Sequence, residues 1–308
     1  MRIKPIFSII IPARNEEDVI ERCLQSILNQ TFQDFEIIIS NDGSTDRTKE
    51  LVENFAQNDN NTKILNRNEG HSAAYARNRG AEIAKGKILI FLDADCVITN
   101  NFLQKIYEKR NDADAFVVDC FPTKNTLVNY ALSGLVVPIV LKKEIYNKND
   151  SNAPMFFTIT KKAYDAINGY DENIFYFEDK DFTERFYKNN FKCKYIKDAY
   201  QYFELPSTFS EFIRQCKWIA KGINKMKAEK RTPLKVNWLK KSLFLLFPFL
   251  FILNTYIFLI LFFITLMFTY GRLIQRNKSL LNSFVTLPFL YIKIFVVSFL
   301  IWSKKKNV

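Results

Sequence analysis

Two acidic clusters in this sequence have the residue types and spacing of a chemical site. Asp93-Ala94-Asp95 directly follows an apolar run, and Glu178-Asp179 follows three consecutive aromatic residues. Neighbouring carboxylates repel one another unless a cation offsets their charge. Mg²⁺ and Mn²⁺ take oxygen ligands and are commonly shared between carboxylates and the phosphates of a substrate. Asp93–Asp95 therefore indicates a divalent metal site, with a solvated turn or a helix N-cap as the alternative.

The elements that must position these clusters follow from the hydrophobic pattern. Short β-branched runs predict buried strands, and apolar residues at helical spacing predict helices between them. The predicted strands are Phe7–Ile11, Phe35–Ser40, Lys63–Leu65 and Ile88–Leu92, and the helices are Glu16–Gln30, Thr45–Ala56 with Thr45 as N-cap, and Ser72–Ala84. Because strand and helix alternate with short connections, the predicted class is α/β, a mostly parallel sheet flanked by helices.

Ligands of such sheets bind at the carboxyl ends of the strands. Pro12–Glu16, Asn41–Asp46 and Asp93–Asp95 all follow predicted strands, so we expect them to converge on one edge. After Asn111 the pattern is looser. It predicts strands at Ala115–Val118 and Met155–Ile159, and helices at Asp181–Asn189 and Ser210–Lys227.

The charge of the chain indicates an anionic partner. Its 308 residues carry a formal net charge of +12, but the positive residues form no stripe with stacking aromatics, so nucleic acid is not expected. Seven Lys/Arg residues within 225–241 and three within 304–306 flank apolar segments, as expected for contact with anionic lipid headgroups. The five cysteines are scattered without metal-ligand or redox spacing, which indicates reduced thiols in the cytosol.

Two apolar segments near the C-terminus predict a transmembrane helical hairpin in the cell membrane. Residues 243–268 contain no charge and are long enough to cross a bilayer, and 283–302 form a second span that contains Lys293. An interfacial helix is the alternative for the second segment. Since basic residues lie on the outer sides of both spans, the positive-inside rule places residues 1–231 and the C-terminus in the cytoplasm. Residues 232–308 would form the basic collar and the two spans.

Several ordered motifs across roughly residues 5–220 resemble family 2 glycosyltransferases of the GT-A fold. The motifs are Ser8–Glu16, Asn41–Asp46, Asn68–Gly80, Asp93–Asp95, Asn168–Glu172 and Phe177–Asp181. The resemblance implies a Rossmann-like GT-A domain over residues 1–231, a nucleotide sugar as the donor and Mg²⁺ or Mn²⁺ as the cofactor. Asn41 departs from the family where an Asp-Asp pair is frequent, at a position that looks secondary.

The resemblance also assigns roles to single residues on the donor side. Pro12, Arg14 and Glu16 would line the nucleotide pocket. Asp42 would accept a hydrogen bond from the base, as a carboxylate does from a uracil or guanine N–H. At the metal site, Asp93 would contact the ribose or the metal, and Asp95 would ligate the metal that bridges the diphosphate.

Other residues of these motifs have open alternatives. Arg77 would steer the anionic donor, or lie on a solvated helix face. Arg214-Gln215-Cys216-Lys217-Trp218 is similar to the Gln/Arg-x-x-Arg-Trp element of processive synthases, with Lys217 in place of the usual arginine. The resemblance implies that Arg214, Lys217 and Trp218 contact the donor. The alternative is an amphipathic helix with Trp218 at the membrane surface. Asp46 is expected to order its own turn or cap the next helix, and His71 to lie in a loop near the donor.

Sugar transfer to a hydroxyl needs a base placed on the acceptor proton. The resemblance assigns that base to Asp179, with Asp181 as the fallback and Glu178 as the residue that orients it. An acidic helix N-terminus stabilised by the helix dipole is the alternative. The resemblance implies an inverting single displacement without a covalent enzyme intermediate.

The predicted reaction moves a sugar from a nucleoside diphosphate, UDP before GDP, to a hydroxyl of a polyprenyl- or dolichyl-linked saccharide in N-glycan or surface-glycan assembly. A two-span anchor suits such a lipid-linked acceptor. A synthase that transfers the sugar to polyprenyl phosphate is the close alternative, and a nucleotide-sugar-binding membrane protein without catalysis is another. A nucleotidyltransferase is disfavoured because Pro12–Glu16 is not a glycine-rich, lysine-containing loop.

Overall fold

Nine strands and seven helices are present in the part of the chain that the computed structural model describes, residues 4–124, 126, 144–147, 157–174 and 177–228. The strands are β1 (Phe7–Ala13), β2 (Phe35–Asp42), β3 (Thr62–Arg67), β4 (Ile88–Phe91), β5 (Val97–Ile98), β6 (Ala115–Pro122), β7 (Ile145–Tyr146), β8 (Thr158–Thr160) and β9 (Cys193–Phe203). The helices are α1 (Ile20–Leu28), α2 (Thr48–Asn58), α3 (Ala73–Ile83), α4 (Phe102–Lys109), α5 (Lys161–Ala166), α6 (Glu178–Lys188) and α7 (Phe209–Ala228).

The chain divides into two units. One comprises Met1–Phe121 and Val140–Phe203, and the other Pro122–Ile139 and Glu204–Val308. The first unit holds the sheet and the helices α1–α6, and the second holds α7. The predicted domain boundary at residue 231 lies outside the described residues.

The sheet has a parallel half and an antiparallel half. Its strand order is β3-β2-β1-β4-β8-β6-β9-β5, with β7 paired to β9. The pairs β2–β3, β1–β2 and β1–β4 are parallel, whereas β8 runs antiparallel to both β4 and β6. The predicted α/β class and the parallel order of the first four strands are confirmed, and the strands after β4 make the sheet mixed.

Central strands are buried on both faces, as expected for a parallel sheet covered by helices. Ile9 and Ile37 pack with α1, α2 and α4 on one face, which we call the α1 face. Ile10 and Ile38 pack with α3, α5 and α6 on the other, the α6 face. Full burial of each isoleucine side chain contributes about 1.5–3 kcal/mol, so the sheet is a firm frame for the loops at its edge.

Loop hydrogen bonds shift the starts of two predicted helices. α1 begins at Ile20 rather than Glu16, since the Glu16 N–H donates to Thr48 Oγ1 at 2.7 Å. α2 begins at Thr48 with Arg47 at the N-cap position, so Thr45 is not its N-cap. Thr45 lies instead in the preceding loop, where its N–H donates to Asn15 Oδ1 at 2.8 Å. All five cysteines are free thiols, as predicted.

No helix in the described part of the chain is both long and apolar enough to cross a membrane. The two predicted spans, residues 243–268 and 283–302, lie outside the described residues.

Candidate active site

Hydrogen bonds join the loops after β1 and β2 at the carboxyl edge of the sheet. Asn15 adopts a left-handed backbone with φ 58°, which lets its side chain reach the Thr45 N–H. The neighbouring Glu16 N–H donates to Thr48 Oγ1. The predicted convergence of these two loops is therefore confirmed.

The loop after β2 is ordered by Asp46 and Gly43. Asp46 Oδ1 accepts from the Thr48 N–H at 3.0 Å, and its Oδ2 accepts from the Glu17 N–H at 3.2 Å. Asp46 thus orders its own turn, as predicted. Gly43 has φ 71°, and a Cβ there would lie 2.7 Å from Gly70 N, so both the backbone conformation and the close approach require glycine.

Asp42 ends β2 and holds the loop before α3. Its Oδ2 accepts from the His71 N–H at 2.6 Å, and the His71 ring stacks on Tyr75 with centroids 4.2 Å apart. His71 therefore lies in a loop at the predicted donor edge. Arg14 is exposed on the same edge, with its guanidinium against Gly70. The nucleotide contacts of Pro12, Arg14 and Asp42 stay predictions.

Carboxylates converge just after β4. Asp93, Asp95 and Cys96 bring their ligand atoms within 4.8 Å of one another. Glu16 lies close enough that burial, followed by the charges of Asp95 and Asp93, raises its pKa to about 7. Clustered carboxylate oxygens are hard ligands of the kind that Mg²⁺ and Mn²⁺ prefer, so Asp93 and Asp95 fit the predicted cation. The buried Cys96 thiol accepts from Gln201 Nε2 at 3.0 Å.

Arg77 joins the two acidic clusters. Its Nη2 donates to Asp93 Oδ1 at 2.8 Å and its Nη1 to Glu178 Oε1 at 3.0 Å. The Arg77 side chain is only 6% exposed, so the alternative of a solvated helix face is wrong. Burial opposes the charge of Arg77, but Asp93, Tyr170 and Glu178 outweigh it and raise the pKa of the guanidinium.

Glu178 and Asp179 open α6, three residues earlier than the predicted helix start. Burial raises the pKa of both carboxyl groups, against the charge of Arg77 and, for Asp179, the hydrogen bond from the Lys180 N–H at 2.8 Å. The helix N-terminus favours their ionised form. Asp181 instead accepts from Arg185 Nε at 2.7 Å within the same helix. Because Arg185 occupies the Asp181 carboxylate within the helix, Asp181 is less available than Asp179 to contact an acceptor.

Asn78 clamps the loop that leads towards α6. Its Oδ1 accepts from the Tyr164 hydroxyl (2.6 Å) and the Tyr170 N–H (3.0 Å), and its Nδ2 donates to Tyr170 O (2.9 Å) and Glu172 Oε1 (2.8 Å). The Tyr170 ring then stacks on Phe182 of α6 at 4.1 Å. Asn78 and Tyr170 both belong to the motifs that resemble family 2 glycosyltransferases. Their spacing in the sequence does not indicate that the Asn78 side chain hydrogen-bonds to the backbone of Tyr170.

Arg214, Lys217 and Trp218 lie in the second unit, exposed on one side of α7, and Trp218 is 58% exposed. Phe212 and Cys216 are fully buried on the other side. The amphipathic character of this helix is confirmed, and donor contact by its exposed residues stays a prediction.

Residues 8–167 match the sequence profile of glycosyl transferase family 2, and residues 88–302 match that of glycosyl transferase family group 2. The first match alone covers more than half of the chain. The chain belongs to glycosyltransferase family 2. The family 2 assignment agrees with the GT-A-like sheet and with the clustering of Asp93, Asp95, Glu178 and Asp179 at one edge.

Bacterial relatives of this family 2 glycosyltransferase cover similar shares of the chain. This chain is 26% identical to glycosyltransferase GlyG of Streptococcus pneumoniae over 208 residues, which are 63% of this chain and 68% of that relative. It is 27% identical to the uncharacterized glycosyltransferase EpsJ of Bacillus subtilis over 67% of this chain and 63% of that protein. A Campylobacter jejuni protein named GalNAc(5)-diNAcBac-PP-undecaprenol beta-1,3-glucosyltransferase is 32% identical over 60% of this chain and 57% of its own. The match thus spans about three-fifths to two-thirds of these relatives.

Solved structures share the fold. TarS of S. aureus (residues 1–349) superposes with a TM-score of 0.55 at 24% identity, over 70% of this chain and 65% of that chain. The mannosyltransferase PcManGT of Pyrobaculum calidifontis, solved with GDP-Man and Mn²⁺, gives 0.54 at 16% identity, over 74% of this chain and 65% of that one. At these identities the likeness shows the fold alone.

Proposed function

We propose that this glycosyltransferase performs an inverting, metal-assisted transfer of a sugar from a nucleoside diphosphate to a hydroxyl group. The observation that carries the proposal is the bridge of Arg77, which donates to Asp93, one of the two proposed cation ligands, and to Glu178, the neighbour of the proposed base. The two acidic clusters, 83 residues apart between Asp95 and Glu178 in the sequence, are thereby held on either side of one guanidinium. A donor sugar bound next to this guanidinium would lie between the two acidic clusters.

Asp179 is the proposed general base. Its raised pKa makes its carboxylate a stronger proton acceptor near neutral pH. Asp179 takes the proton of the acceptor hydroxyl as that oxygen bonds to the anomeric carbon, from the face opposite the leaving group. The bond between the anomeric carbon and the diphosphate breaks, and the diphosphate oxygen keeps the electron pair. When bound at Asp93 and Asp95, a divalent cation supplies positive charge to the diphosphate.

Arg77 is the proposed positioning residue of this site. Since both of its terminal nitrogens are engaged by carboxylates, it fixes the orientation of Glu178 and Asp93. Glu178 in turn precedes Asp179 at the first turn of α6. The predicted donor contact of Arg77 is therefore secondary to this role in our proposal.

For the acceptor, we favour a hydroxyl of a polyprenyl-linked saccharide. The name of the Campylobacter relative, a beta-1,3-glucosyltransferase of GalNAc(5)-diNAcBac-PP-undecaprenol, supports this choice. Transfer to polyprenyl phosphate is the alternative. UDP is favoured over GDP as the donor nucleotide by the resemblance alone.

We also propose that the enzyme is held at the cytoplasmic face of the membrane. The apolar segments 243–268 and 283–302, with basic residues on both outer sides, support a two-span anchor. The exposed Arg214, Lys217 and Trp218 on α7 suit anionic headgroups next to that anchor. A single cysteine introduced at Asn277 should be labelled only from outside; labelling solely from the cytosolic side would overturn the hairpin.

The reaction is tested by incubating membranes that contain the full chain with a panel of radiolabelled nucleotide sugars. We expect label in the organic extract, released by mild acid as an oligosaccharide. Label released as a monosaccharide would favour the polyprenyl-phosphate synthase. Label found solely in water-soluble product would refute a lipid acceptor.

A further inference from the structure

Three aromatic side chains gather on the neighbouring strands β6 and β9. The Phe121 ring centroid lies 5.7 Å from that of Tyr200 and 6.0 Å from that of Tyr202. Phe121 is 43% exposed, one of five large apolar side chains exposed in the described part of the chain, and the two tyrosines are half-buried. We call Phe121, Tyr200 and Tyr202 the aromatic platform. No step of the proposed mechanism uses it.

Strand directions place the platform at the same edge of the sheet as the proposed cation ligands Asp93 and Asp95. Because β8 is antiparallel to both β4 and β6, β4 and β6 run in the same direction and their carboxyl ends share one edge. Phe121 lies at the carboxyl end of β6, and Asp93 follows β4. One strand separates β6 from β4, a distance of about 10 Å. Tyr202 pairs in register with Val97, two residues after Asp95.

Side-chain alternation places the platform on the α6 face. Gln201 pairs with Ile98, and its Nε2 donates to Cys96 Sγ; both Ile98 and Cys96 belong to the core of the α1 face. Since successive side chains of a strand point to opposite faces, Tyr202 points to the α6 face. Glu178 and Asp179 begin α6 on that face. The platform and the proposed base Asp179 therefore lie on the same face of the sheet and at the same edge.

The platform lies too far along the edge of the sheet to contact the nucleobase of the donor. Asp42 lies on β2, four strand spacings or about 19 Å from β6, with the cation ligands between them. A donor whose base contacts Asp42 and whose diphosphate reaches Asp93–Asp95 would present its sugar near Asp179. The space beyond that sugar, towards β6, is where an acceptor must enter.

The chemistry of the platform matches a sugar ring. Aromatic faces carry partial negative charge and attract the C–H groups on the flat face of a pyranose, while polar groups at the rim bind its hydroxyls. Asp119 shares a face of β6 with Phe121 and accepts from the Tyr195 hydroxyl at 2.7 Å, which provides such a polar rim. We propose that the aromatic platform binds a pyranose ring of the acceptor saccharide; this inference rests on the proposed glycosyl transfer.

The test uses the full chain in detergent and saturation-transfer NMR with the methyl glycosides of glucose, galactose, mannose, N-acetylglucosamine and N-acetylgalactosamine. We expect at least one pyranoside to receive saturation on the C–H groups of one ring face. Phe121→Ala should weaken that binding about tenfold, and Phe121→Trp should retain it. Phe209→Ala, which removes another exposed phenylalanine (52% exposed), is the matched control and should leave the signals unchanged.

Three results would overturn the platform: no pyranoside bound by the parent protein, equal binding by Phe121→Ala, or an equal loss in Phe209→Ala. Geraniol, an isoprenoid probe, tests whether the platform binds lipid instead of sugar. If geraniol receives saturation from the parent but not from Phe121→Ala, and the pyranosides receive none, the proposal is refuted. UDP binding in the presence of Mn²⁺ reports the donor site separately. Loss of pyranoside binding with UDP binding retained is expected of Phe121→Ala, whereas a parent that binds no nucleotide contradicts the proposed function itself.

Discussion

Replacement of Arg77 by glutamine removes the bridge between the two acidic clusters. The Arg77 side chain is 6% exposed and that of Glu178 17%, whereas Asp93 is 40% exposed. The change leaves Glu178 buried beside Asp179 without its cation. We therefore expect loss of stability and loss of transfer together.

The expected magnitude follows from these exposures. Breaking a buried ion pair by removing one partner costs about 3–5 kcal/mol, because the other charge stays buried. A solvent-exposed pair contributes about 0–1 kcal/mol. The Arg77–Glu178 pair belongs to the first class and the Arg77–Asp93 pair lies closer to the second. We expect Arg77→Gln to lower the free energy of unfolding by about 3–5 kcal/mol.

Urea unfolding of the full chain in detergent, followed by circular dichroism at pH 7, measures this change. Arg79→Gln is the matched control, since Arg79 is the next arginine of α3, is 30% exposed and pairs with Glu82 and Glu172. It should lose about 1 kcal/mol or less. Equal effects of the two substitutions, or an Arg77→Gln protein as stable as the parent, would refute the bridge. The double variant Arg77→Met, Glu178→Met should recover stability relative to Arg77→Met alone.

Three further changes test the frame of the site. Hydrogen bonds from Lys63, Lys85 and Ser8 outweigh burial and lower the pKa of Glu36. The stabilisation they give is therefore present above the ordinary pKa of 4.5 and lost as the pH falls through the lowered value. Glu36→Gln should cost about 1–3 kcal/mol at pH 7 and much less once the pH is below that lowered value, measured in thermal melts, and a pH-independent difference would contradict this. Gly43→Ala should destabilise by about 1–3 kcal/mol, because of its φ of 71° and its approach to Gly70; an unchanged melting temperature would refute the strain. Asn78→Ala should lower the rate of sugar transfer about tenfold or more, because α6 is displaced, while UDP binding is retained. An unchanged rate of transfer would show that Asn78 does not position α6.

The first half of the fold could be predicted because its signals are local. β1, β2 and β4 each contain a run of apolar residues, and each leads into polar residues that the sheet gathers on one edge. The family motifs then supplied roles that spacing alone does not contain. The starts of α1 and α2 were displaced, where Asn15 and Thr48 bond across loops distant in sequence, and β5 and α4 were not predicted.

The second half depends on contacts that the sequence does not display. Arg77 has the spacing of a solvated helix face, and its burial arises from Glu178, 101 residues later. The length of β9 is hidden because Asp198 takes φ 61° and breaks the alternation of buried side chains. Phe121 and Tyr202 look like ordinary strand residues until strand order places them at the same edge of the sheet as Asp93 and Asp95.

The proposed mechanism pairs Asp95 with a cation and Asp179 with the acceptor proton. One experiment compares Asp95→Asn and Asp179→Asn with the parent, measuring both Mn²⁺ bound in the presence of UDP, from the electron paramagnetic resonance of the free ion, and hydrolysis of the UDP-sugar. We expect Asp95→Asn to lose nucleotide-dependent Mn²⁺ binding, whereas Asp179→Asn should bind Mn²⁺ and UDP like the parent and lose hydrolysis at least about a hundredfold. Parent-like binding by Asp95→Asn, or parent-like hydrolysis by Asp179→Asn, would contradict it.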